Sequence, residues 1–251
     1  MRIAHIINPV LVDENNSSYL YYTQPITFES LHKAKIYGEK KQQNLQIELY
    51  TIAYPEDNTI IPDYFIKLPC LNQSTKDYYP GISTKKLPFL QDIFDSINKY
   101  VNADYIIFSN TDIIVHYKLY DFIYINIEKY NYDSMIINRR DNIPKFINNI
   151  QLNYEHLNII FELEGEKHIG RDCFIIKKCI FKNINVQDIF IAHPPWGLVL
   201  MKYLDKNSNN FKLFRNEYLT FHLGNDNNHK NSSKKEPLTQ MNYYNSKKIN
   251  Y

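Results

Sequence analysis

The chain has 251 residues, 44% hydrophobic, 15% aromatic and 22% charged, enough for one substantial core and a better fit to one domain than to two. Its formal net charge is +2, and residues 225–251 alone carry +3 through five lysines set against Asp226 and Glu236, which leaves the body near −1 and without the concentrated basic face of a nucleic-acid binder. No stretch approaches the ~18 apolar residues of a membrane span, and three cysteines without zinc-type spacing are expected as reduced thiols, so the chain reads as soluble and cytoplasmic.

Residues 2–10 open with Ile3, Ala4, Ile6 and Ile7 and stop at Asn8-Pro9, which predicts a first strand. A strand-first opening suits an α/β fold whose first loop, here at Asn8, touches a nucleotide. No Gly-rich phosphate loop follows, so neither a P-loop nor the usual dinucleotide fingerprint is supported. Residues 12–24, polar and Tyr-rich, read as a loop, and 25–43 as a helix with Pro25 in its first turn and Phe28, Leu31 and Ala34 on one face. Residues 47–53 alternate and predict a second strand, hence a right-handed parallel crossover. Tyr54-Pro55-Glu56-Asp57 ends it, with Asp57 suited to capping the turn.

The Pro-rich stretch 59–84, with a short strand at 65–68, is long for a loop and so functional or mobile. Residues 85–100 predict a helix capped by Thr84, which puts Lys85 and Lys86 at its start, where cations oppose the dipole. A bound diphosphate at Lys86 relieves that cost; a solvated lysine pair is the alternative. Residues 105–108 form a short, uncharged run, the pattern of a strand buried on both faces, and Asn110 and Asp112 follow it at the rim of the sheet. An amide oxygen and a carboxylate one residue apart suit a hard cation that binds phosphate oxygens, or else a polar turn.

Residues 117–130 predict a helix and 134–138 a strand that stops at Arg139-Arg140-Asp141. The two guanidinium forks fit a phosphate or a sugar carboxylate, or surface pairing with Asp141. Residues 142–161 read as loosely helical. Gly170 and Arg171-Asp172 precede another buried strand at 173–176 and set a second carboxylate at the rim. Trp196, in Pro-Pro-Trp-Gly before a helix at 198–204, fits the core or a face on which a sugar stacks. His222 lies inside the apolar run 219–224. Residues 227–251 are Asn-, Lys- and Ser-rich, a flexible basic tail able to touch an anionic membrane surface.

A strand ending in a D-x-D-like triplet, here Asn110-Thr111-Asp112, resembles the metal-binding signature of GT-A glycosyltransferases, with Asp112 the firmer half. Residues 170–174 and 220–224 carry the rest of the likeness. The resemblance implies a GT-A-like Rossmann-type α/β fold, a mixed sheet flanked by helices in a single domain over residues 1–226. It implies transfer of a sugar from a nucleotide-sugar donor to a glycan or lipid-linked acceptor, as in surface polysaccharide synthesis, at the inner face of the membrane. Asp112 and His222 would then hold Mn²⁺ or Mg²⁺, with Asp226 close by. Asn8, Asp57, Lys86 and Asn110 would meet the nucleotide, Arg139, Arg140 and Trp196 the substrate, and Asp172 would be the general base of an inverting reaction. A non-catalytic binding module in a polysaccharide assembly complex and a metal-dependent nucleotidyltransferase are the rival readings.

Overall fold

At the centre of the chain, β4 (Tyr105–Ser109) has every side chain buried, as its uncharged sequence requires. In this computed structural model, which describes residues 1–13, 19–83, 85–223 and 236–249, the remaining strands are laid out on both sides of it. One side is parallel: β1 (Arg2–Ile7) pairs with β4 and with β2 (Gln46–Thr51), and β3 (Ile66–Lys67) forms the edge. On the other side β9 (Glu166–Lys177) runs antiparallel to both β4 and β6 (Ser134–Ile143). The far edge of β6 is shared by β10 (Phe211–Phe214) and then β11 (Thr220–Leu223), both parallel to it, and β11 pairs with β5 (Ile114–Val115). A separate hairpin joins β7 (Phe146–Ile147) to β8 (Ile150–Gln151).

Helices cover both faces, because strands buried on two sides need two apolar layers. Here α1 (Leu20–Lys41) is the crossover from β1 to β2, and α2 (Thr75–Tyr78) is a single turn in the long loop. The strongly amphipathic α3 (Leu90–Tyr100) leads into β4, and α4 (Leu119–Tyr130) follows β5. Two short helices, α5 (Leu157–Glu162) and α6 (Lys178–Phe181), flank β9, and α7 (Trp196–Asn207) lies beyond them. One core layer packs Phe94, Phe108, Phe174, Phe181 and Trp196 beneath α3, α6 and α7. The other packs Leu31, Ala34, Tyr120 and Ile123 beneath α1 and α4. On the α1 and α4 side, buried His5 meets Tyr120 Oη and Ser109 Oγ, each at 2.8 Å. Burial lowers its pKa to about 3, so the ring is neutral.

The structure departs from expectation at five places. α1 begins at Leu20 rather than Pro25, because Tyr19 and Leu20 precede Pro25 on the same helix and the proline falls within the second turn, where only one backbone donor is lost. α3 begins at Leu90, after Pro88, so Lys85 and Lys86 lie outside it and the expected cap Thr84 falls outside the described residues. β6 runs on through Arg139 and Arg140 to Ile143, since partners on β9 and β11 continue that far. Residues 142–161 form the β7–β8 hairpin and α5 rather than one loose helix. The expectation of a flexible tail over 227–251 fails for α8 (Pro237–Ser246): Leu238 packs with Phe89 and Phe190, and Asn242 bonds to the Phe190 and His193 backbone. Asp226 lies outside the described residues.

Candidate functional site

The site lies where β4 ends against the middle of β9, beside the C-terminal half of β6 and β11. After β4, the Asn110 backbone N–H donates to the Asp172 carbonyl at 3.1 Å, and its side-chain amide donates to Asp172 Oδ1 at 2.8 Å. The Asp172 carboxylate is there because of a β-bulge. Ile137 pairs with Cys173 but Asn138 pairs with Arg171, so Asp172 is an extra residue on β9, and such bulges re-aim a side chain at a sheet end. Gly170 makes the approach possible: a Cβ there would come within 2.7 Å of Asp172 Oδ2 and of His168 Nδ1.

Arg139 is buried between Asp172 Oδ2 at 3.2 Å and Asp141 Oδ2 at 3.4 Å. Asp141 Oδ1 lies 2.9 Å from His222 Nδ1, and His222 Nε2 faces Asp112 Oδ2 at 3.4 Å. Tyr19 completes the group, its hydroxyl donating to Asp112 Oδ2 at 2.6 Å and its ring edge-on to the imidazole at 5.5 Å. His168 stands at the outer margin, 3.9 Å from Asp141 Oδ2.

Charges fix the protonation of this cluster. Burial favours a neutral Asp112, yet His222, Tyr19 and Arg139 overcome it and hold its pKa at about 2. Burial likewise works against a charged His222, but Asp112 and Asp141 raise its pKa to about 9. Burial raises the Asp172 pKa against the opposing pull of Arg139.

Asp112 and His222, expected as metal ligands, are thus brought together, 8% and 2% exposed. Asp112 Oδ1 is buried without a hydrogen-bond partner, His222 Nε2 faces only the other oxygen of the same carboxylate, and the remaining imidazole nitrogen is held by Asp141, the usual support of a ligating histidine. Asp112 Oδ1 and His222 Nε2 fit a hard divalent cation that takes its remaining ligands from phosphate and water, once the imidazole gives up its proton. Among the described residues no group of three or more His, Cys, Asp or Glu is arranged to hold a metal alone.

Other expected site residues are placed differently. Asn8 donates its amide to the Ile52 carbonyl at 2.6 Å, joining β1 to β2. Asp57 is buried and accepts from the Leu11 and Tyr54 backbone, a capping role. Lys86 pairs with Glu56 at 2.6 Å and lies over the Tyr54 ring, outside α3. Arg140 is buried within β6, donating to the Glu164 and Gly165 carbonyls at 2.7 Å, instead of presenting a fork at a strand end. Trp196 is 7% exposed and packs on Phe108 and Phe174, so its indole belongs to the core and offers no face to a sugar. Tyr19 and Asp141 were not singled out: Tyr19 sat in what read as a loop, whereas Asp141, a carboxylate beside two arginines, carried a signal.

No protein-family model matches the chain, and no curated protein matches it in sequence. Its fold does have counterparts. The structure of S. aureus TarS 1-349 in complex with UDP-GlcNAc aligns with a TM-score of 0.54 at 8% identity, over 93% of this chain and 61% of that one. The same protein in complex with UDP aligns with a TM-score of 0.52 at 10% identity, over 89% of this chain and 60% of that one, so the chain spans well under two thirds of TarS 1-349. Glucosyl-3-phosphoglycerate synthase from Mycobacterium tuberculosis, in complex with Mn²⁺, UDP and phosphoglyceric acid, aligns with a TM-score of 0.50 at 9% identity, over 100% of this chain and 80% of that one. Among the described residues no helix is long and apolar enough to cross a membrane. The mixed sheet, flanked on both faces by helices within one domain, is the fold of the GT-A glycosyltransferases.

Proposed function

We propose that the chain is a nucleotide-sugar-dependent glycosyltransferase that uses a divalent cation and transfers the sugar to a hydroxyl of a glycan or lipid-linked acceptor. The observation that carries this reading is the buried pair of Asp112 and His222, with Asp112 Oδ1 left without a hydrogen-bond partner, at the end of the sheet. The neighbours support it, since they are held with UDP-GlcNAc, and with Mn²⁺ and UDP.

In this reading Asp112 and His222 would hold the cation, which would supply positive charge to the leaving diphosphate. Asp141 keeps the imidazole in the tautomer that offers Nε2. Asn110 orients Asp172, whose raised pKa suits a general base, and Arg139 must release one of its oxygens before it takes the acceptor proton. A non-catalytic binding module is favoured by one observation, that both Asp172 oxygens are already engaged, by Asn110 and Arg139.

Manganese-dependent hydrolysis of a nucleotide sugar separates the two. The enzyme reading expects hydrolysis by the natural chain and its loss in Asp112→Ala; nucleotide-sugar binding without turnover in either protein supports the binding module.

A further inference from the structure

Arg171 leaves the sheet on the other side of the same bulge. Its neighbour Asp172 turns towards Arg139 and Asn110, while Arg171 sits against α7: its Nε donates to the Met201 sulfur, and a Cβ on Gly197 would come within 2.9 Å of the Arg171 carbonyl. Strand register brings a second guanidinium alongside. Asn138 pairs with Arg171 on one side, and on the other side Phe214 pairs with Ile137, so Arg215 emerges next to Asn138. Leu213 packs in the core layer beneath α7, and by the two-residue period of a strand Arg215 leaves on that face.

Among the described residues no carboxylate lies at ion-pair distance from either arginine, although Arg139, Lys177 and Lys86 all have one. Burial, and behind it the Arg215 charge, lowers the Arg171 pKa, so the two cations are near enough to repel. Between them lies Asn138, 5% exposed. Two guanidiniums close enough to repel, neither with a carboxylate at ion-pair distance among the described residues, cost free energy that a bound anion would recover.

We infer that Arg171 and Arg215 form an oxyanion subsite, distinct from the Asp112–His222 pair, that receives a phosphate or carboxylate borne by the acceptor. The assignment to the acceptor rests on the glycosyltransferase reading; the anion site itself does not. The subsite would make the transferase selective for acidic acceptors, with the reacting hydroxyl near Asp172.

The test titrates methyl phosphate into the full chain at low salt by calorimetry, with and without Mn²⁺. The expected result is metal-independent binding that weakens about tenfold in Arg171→Gln and in Arg215→Gln, the loss of one charge-assisted contact each, with partial recovery in Arg215→Lys. Because Arg215 is exposed, its replacement leaves the core untouched. Asp112→Asn is expected to bind methyl phosphate as the natural chain does. Equal binding by the arginine variants overturns the subsite, as does absence of binding. Binding that needs Mn²⁺ and vanishes in Asp112→Asn assigns the phosphate to the donor and overturns it too. A parallel titration with nucleoside diphosphates and Mn²⁺ reports on the donor reading alone, which can fail while methyl phosphate still distinguishes the arginine variants.

Discussion

His222 is held through Nδ1 by Asp141 at 2.9 Å, and that bond decides which nitrogen faces Asp112. Neither residue is a sequence neighbour of the other; β6 and β11 bring them together through the pairing of Phe221 with Arg140. Asp141→Asn keeps the shape but removes the charge that supports the imidazole. Mn²⁺ affinity is expected to fall by about 10–100-fold, as is usual when such a support is lost. A manganese titration followed by electron paramagnetic resonance measures it, and unchanged affinity would remove Asp141 from the site.

Tyr19 donates its hydroxyl to the very carboxylate that would meet the cation. The bond goes to Oδ2 while Oδ1 is the atom left for the cation, so the phenol, with a net hydrogen bond of about 0.5–1.5 kcal/mol, holds the carboxylate in place. Tyr19→Phe is therefore expected to weaken Mn²⁺ binding roughly two- to tenfold. Tighter binding in the variant would mean that the phenol competes for Asp112 instead of orienting it.

Trp196 fills the apolar layer between Phe108 and Phe174. Its removal in Trp196→Ala leaves a cavity and is expected to cost about 3–5 kcal/mol of stability. Denaturant unfolding measures the loss, and Trp196→Phe should recover much of it. Sugar binding per folded molecule should not change in Trp196→Phe; a selective loss there would restore the indole to the substrate site.

Acid should unfold this chain partly through His5. Its folded pKa of about 3 lies below the ordinary imidazole value of 6.5, so between those pH values the unfolded chain binds a proton that the folded chain does not. Stability then falls as pH drops from 6.5 towards 3, by about 1.4 kcal/mol per pH unit for one group. His116, lowered to about 4 by burial and then by Lys118, adds a second proton over part of the range. His5→Asn, though less stable at neutral pH, should show a slope shallower by about one proton in pH-dependent unfolding.

Asn242 ties α8 to the body with three bonds, accepting from the Phe190 N–H at 3.1 Å and donating to the Phe190 and His193 carbonyls at 2.8 and 2.7 Å. Asn242→Ala strands those backbone groups and is expected to cost about 1–3 kcal/mol. Hydrogen exchange should rise in residues 237–246 more than in β4 if the helix opens as a local unit.

The apolar parts of this fold were legible because burial leaves a compositional trace. β4 has no charge and is where the pattern put it, and α3, which repeats its apolar residues at helical spacing, ends where expected at Tyr100 although it starts five residues later, at Leu90. Asp112 was legible for the same reason, standing just past a strand whose end was clear. The charged half of the site was not. Arg139, Arg140 and Asp141 look like the end of a strand, yet they continue β6, because each finds a buried partner on another element: Asp172, the Glu164 and Gly165 carbonyls, and His222. Such compensation is a property of the tertiary structure and leaves no local period to read. Lys86 failed for a different reason, since Pro88 moves the start of α3 past it.

Because Asp172 has no opposite number on β6, and the register shifts again between Arg171 and Lys167, β9 carries three residues of slack between its hydrophobic half and the rim. A deletion within 173–177 would slip every side chain across the sheet, sending Phe174 and Ile176 to the layer that now holds Cys173 and Ile175. A deletion in 166–171 is absorbed where the ladder is already broken. Length changes at the mouth of this protein are thereby insulated from its interior, and residues 168–170, the part of β9 out of register with β6, are the place where chain can be added or removed with the alternation of the core intact.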